Sequence, residues 1–92
     1  MANGEWELLT AIVTANNQRD YAALYRILAD DNVVFSDKPR CVQAAVSAIE
    51  LVPEQVKHHR EILLNFVNKI DGVQTDMRTG IRLEILKGLL AA

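Results

Sequence analysis

The sequence predicts an all-α fold, a compact bundle of four to five short helices forming one domain over residues 1–92. The run Glu54 to Ile70, EQVKHHREILLNFVNKI, begins after Pro53 and stops at Asp71-Gly72. Proline suits a first helical position and glycine the left-handed residue that ends many helices, so both ends of that run are marked. Apolar residues recur at helical spacing over nearly the whole chain, and capping or breaking residues fall between the stripes.

In the first segment, Gly4 to Ala15, Trp6, Leu9, Ile12 and Val13 share a face, and Asn16-Asn17 ends it. In the second, Arg19 to Ala29, Tyr21, Leu24, Tyr25 and Leu28 stack at i, i+3, i+4 and i+7, and Asp30-Asp31-Asn32 halts the helix. Val33-Val34-Phe35 is too short for a strand and reads as a connector pointing inward. Ser36-Asp37 offers capping oxygens, with Pro39 suited to the first turn that follows.

The third helix, Lys38 to Val52, carries Val42, Ala45, Val46, Ile49 and Val52 on one side, extended by Ala44, Ala48 and Leu51. So many small and β-branched residues predict a central, closely packed helix. Pro53 disfavours helical geometry at Val52 and ends it. The run 54–70 then reads as one helix with a broad stripe of Val56, His59, Ile62, Leu63, Phe66, Val67 and Ile70. Gly72 and Val73 fit a Schellman-type end. Thr75 or Asp76 caps a last helix to Leu90. Within it Ile81, Leu83 and Ile85 alternate with Arg82 and Glu84 at strand period, but Leu86, Leu89 and Leu90 continue only as helix.

Half of the 92 residues are apolar, enough to offset the entropy of ordering the chain. A core of this size is marginal alone, and a second copy or a partner would add burial. Neither an apolar stretch of membrane-spanning length nor a signal-peptide pattern is present, and the lone Cys41 suits a reducing cytoplasm. Ten Lys and Arg face twelve Asp and Glu, for a net charge of −2 and an isoelectric point near 5.6. That balance disfavours nucleic acid, whose binding rests on phosphate neutralisation.

Reactive constellations are sparse. Glu54, His58 and Glu61 fall at i, i+4 and i+7, but His58 and His59 point about 100° apart and no further Cys or His completes a metal site. Cys41, beside Arg40 in a first turn, sits where a helix dipole lowers a thiol pKa, yet no base and orienting group accompany it. Asp30, Asp31 and Asp37 lack the glycine and final glutamate of a calcium loop and read as stops and caps. The glycines, at 4, 72, 80 and 88, form no phosphate loop. The sequence therefore predicts no catalytic, cofactor-binding or metal-ligating residue.

Two features rise above this background. Lys69 to Leu90 has the outline of a helix-turn-helix, with Thr75, Arg78, Thr79 and Arg82 placed for DNA. The last helix also carries apolar residues on two sides: Ile81, Ile85 and Leu89 on one, Leu83, Leu86 and Leu90 on the other. A helix packed on a monomer needs only a stripe somewhat over 100° wide. The sequence therefore predicts a partner surface at Leu83, Leu86 and Leu90, joined by Leu8 and Leu64. The function expected is a non-enzymatic protein-binding module, a regulator, adaptor or inhibitor that engages another protein or itself as a homodimer. A helix-turn-helix DNA-binding regulator is the alternative.

Overall fold

Six helices carry the described residues, 4–92, of the computed structural model, and there is no strand among them. They are α1 (Gly4–Asn17), α2 (Tyr21–Ala29), α3 (Pro39–Ala48), α4 (Pro53–His58), α5 (Arg60–Lys69) and α6 (Met77–Ala91). The segment 81–85, ambiguous between helix and strand in sequence, lies inside α6.

α3 is the central element. It packs on α1 along one side and α6 on the other, and Cys41, Val42, Ala45, Val46 and Ala48 are all buried. α2 packs on α1 and on α5, and Phe35 from the connector meets Phe66 of α5 edge to face, with centroids 5.2 Å apart. Phe35 is buried and Val33 half-buried, whereas Val34 faces solvent, so the connector points inward through two of its three residues.

Local chemistry accounts for the boundaries. α1 closes in a Schellman motif: the Asp20 amide donates to the Ala15 carbonyl (2.8 Å) and the Arg19 amide to Asn16 (3.1 Å). Arg19 occupies the left-handed position at φ 54°, usually held by glycine. Asp20 then turns and caps α2, its carboxylate accepting from the Ala23 amide at 3.1 Å. The Schellman end expected at Gly72 is replaced by a β-turn over residues 70–73. There the Val73 amide donates to the Ile70 carbonyl (3.0 Å), with Gly72 at φ +84°.

Two further boundaries and one helix face differ from the sequence expectation. The run 54–70 is two helices, broken at His59 (φ −109°, ψ 28°). α4 packs against α6, and α5 packs against both α2 and α6. α3 stops at Ala48 rather than Val52, because Ile49 turns extended and leaves Val52 exposed. On α1 the inner face is Leu8, Leu9, Ile12 and Ala15, while Trp6 and Val13 point outward.

Three helix ends lack a glycine cap and are closed by cations from distant helices. Lys69 donates to the carbonyls of Leu28 and Asp30 at the end of α2, at 3.4 and 3.1 Å. Arg82 donates to Val46 (3.3 Å) and Ile49 (2.9 Å) at the end of α3. Arg60 donates to the Leu90 carbonyl at the end of α6. Each places a positive charge where the helix dipole is negative and satisfies a carbonyl that the helix itself cannot.

Candidate protein-binding face on the last helix

Asp76 starts α6 by accepting from the Thr79 amide at 3.0 Å. Hydrogen bonding by Thr79, its side chain first and its amide second, holds the Asp76 carboxyl below the usual carboxylate range. Thr79, Leu86 and Leu90 are buried and Leu83 packs half-buried against the core. On the opposite side Met77, Ile81 and Ile85 stand out, with 80, 56 and 48% of their surface exposed. They follow one another at i, i+4 and i+8 and form a single ridge. Scattered exposed apolar residues, such as Trp6 and Val34 here, are ordinary on a protein surface; three aligned on one ridge are not.

The ridge continues to Leu89, half-buried, which lines a cleft of about 540 Å³ together with Pro53, Lys57, Arg60 and Ala92. Pro53 and Leu89 make its floor apolar. Lys57 and Arg60 make its wall basic. The ion pairs among the described residues join Lys38 to Asp37, Arg40 to Glu5 and Lys87 to Glu84, so neither cation of the cleft has a carboxylate partner.

The exposed apolar side of α6 is therefore opposite the one that carries Leu83, Leu86 and Leu90. Leu86 and Leu90 belong to the core, and Leu83 and Leu8 pack against it; of the five leucines expected at an interface, Leu64 alone is exposed. Met77, Ile81 and Ile85 take their place. The wheel displays two apolar sides of nearly equal strength, and it is the packing of α3, α4 and α5 that decides which turns inward. The Asp76 cap is visible in sequence but says nothing about that choice.

The residues placed for DNA do not share a surface. Arg78 is exposed and Thr75 half-buried, but Thr79 is buried and Arg82 is engaged by the end of α3.

Cys41 is fully buried, and its Sγ donates to the Glu5 carbonyl at 3.4 Å. Burial, and then the Glu5 charge, push its thiol up, against smaller opposing effects of Lys38 and Arg40, so the helix start does not activate it. Asp30 accepts from the Asn32 amide at 2.9 Å and closes the turn after α2, and Asp37 pairs with Lys38. His58 is exposed and meets His59 edge on, 4.8 Å between centroids. Among the described residues no three His, Cys, Asp or Glu side chains gather around a point where an ion could sit. No helix among them is long and apolar enough to cross a membrane.

No family model, curated protein or solved structure matches the chain.

Proposed function

We propose that this chain is a non-enzymatic protein-binding module, a regulator, adaptor or inhibitor that acts by covering another protein or a second copy of itself. Its contact face is the ridge Met77, Ile81 and Ile85. The observation that carries the proposal is that a well-packed helix leaves three large aligned apolar side chains in water. Central apolar anchors of that kind supply most of the energy of a stoichiometric interface. The acidic balance and the engagement of Arg82 within the fold favour this over a DNA-binding regulator. The single buried cysteine suits the reducing cytoplasm.

The test is Ile81→Gln with Ile85→Gln. Both residues lie opposite the core, so the double variant is expected to keep the parent's thermal midpoint by circular dichroism. It is expected to lose complexes that the parent forms in light scattering or in native lysate, since removing a central anchor costs about 2 kcal/mol or more. The same complexes at the same strength in parent and variant would remove the ridge from the proposal.

A further inference from the structure

The ridge and the cleft at its end form one continuous surface. Steps of four residues overshoot a helical turn by about 40°, so successive ridge residues swing toward α4. Their exposure falls in step, from 80% at Met77 through 56% at Ile81 and 48% at Ile85 to the half-buried Leu89 at the cleft floor. An occupant following the ridge would arrive between Lys57 and Arg60. Arg60 donates to the Leu90 carbonyl at the wall, and both Arg60 and Lys57 are exposed. Glu54 shares a shallow hollow with Lys57 and His58, but no carboxylate oxygen among the described residues comes within 4.0 Å of either cation. Glu84, on the other flank of α6, is drawn to Lys87 at 3.7 Å.

Resting on the protein-binding reading, we infer that the occupant is an acidic amphipathic segment of another protein. It lays apolar side chains at helical spacing along Met77, Ile81 and Ile85 and sets carboxylates over Lys57 and Arg60. Charge complementarity selects it: a chain of net charge −2 keeps two cations without carboxylate partners above an apolar floor, which is the chemistry that holds a carboxylate beside an apolar anchor. The apolar ridge provides the affinity, and the cations fix direction and exclude basic or neutral segments.

The probe is a phage-displayed library of random peptides several helical turns long, selected on the full chain. Enriched peptides are then synthesised and titrated by fluorescence anisotropy at low and high salt. They are expected to be net acidic with apolar residues at i, i+4 spacing, and to bind more weakly as salt rises. Lys57→Glu should weaken them about three- to tenfold without changing the melting curve, and replacing the peptide's end carboxylates by lysine should restore the loss. Enriched peptides that are neutral or basic, or acidic ones indifferent to Lys57→Glu, overturn the inference. If those peptides still require Ile81 and Ile85, the protein-binding face stands while its acidic partner falls. Peptides indifferent to Ile81→Gln with Ile85→Gln sink both. Failure to enrich any peptide, or light scattering that shows the ridge already covered by a second copy, also overturns the acidic segment.

Discussion

The ring of His59 lies flat on the ring of Tyr25, with centroids 3.8 Å apart and planes inclined by 11°. The stack ties α2 to the break between α4 and α5. Beneath it the Tyr25 hydroxyl is buried without a hydrogen-bond partner. Burial disfavours the charged form of each ring, and each makes stability depend on pH from a different side.

Burial, with the His58 charge second, holds the His59 imidazole below its ordinary 6.5. The unfolded chain binds a proton as pH falls through 6.5 while the folded one still resists it, so stability is complete above 6.5 and declines below it, down to the depressed folded value. The melting temperature is expected to drop as the buffer is acidified through that window. His59→Phe, which keeps a ring on Tyr25 and cannot titrate, should flatten the drop. An unchanged slope in that variant would clear His59.

At the alkaline end, burial first and then the Glu50 and Tyr21 charges push Tyr25 from 10.0 up to about 12. The folded state keeps its proton where the unfolded state has lost it, so stability is full below 10 and is lost progressively toward 12. Tyrosinate absorbance in the Tyr21→Phe variant reports Tyr25 alone. It should rise only well above 10, together with loss of helix.

Arg82→Ala should cost about 1–3 kcal/mol in urea denaturation, because it strands the Val46 and Ile49 carbonyls at the end of the central helix. Arg78→Ala, exposed on the same helix, should change stability by no more than about 0.5 kcal/mol. Both variants remove one positive charge, so a difference between them measures the cap. Equal stabilities would mean that water serves those carbonyls as well as the guanidinium does.

Arg19 holds a left-handed conformation that glycine adopts freely. Arg19→Gly is expected to stabilise the chain by about 0.5–1 kcal/mol, since relief of the Cβ clash exceeds the added entropy of the unfolded glycine. Arg19→Ala keeps the clash and should bring no gain. If alanine and glycine behave alike, the turn between α1 and α2 is relaxed in solution.

Ala45→Leu should destabilise by about 1–3 kcal/mol through overpacking, and Ser47→Leu far less. Ala45 is wholly buried on α3 between its neighbours, whereas Ser47, two residues on, faces solvent. Thermal melts that coincide for the two variants would contradict the central place of α3.

The sequence by itself determined the all-helical fold and most helix starts. The stripe Leu24, Tyr25 and Leu28, the central α3, the inward Phe35 and the choice of helix at 81–85 all rest on residues within a few positions of one another. Capping, breaking and 3.6-residue spacing are local physics, readable without a partner helix. Only the tertiary structure decided which side of α6 is inside, where the run 54–70 bends, and that α1 turns Leu8 rather than Trp6 toward the core. The closures by Lys69, Arg82 and Arg60 likewise depend on carbonyls more than two dozen residues away in sequence. A helix with two apolar sides gains much the same burial whichever side turns inward. What separates the alternatives is the sum of contacts from α3, α4 and α5, helices far apart along the chain, and no residue within α6 carries that sum. The surface left over, Met77, Ile81 and Ile85, is set by the same sum, which is why the fold was legible in the sequence and the candidate site was not.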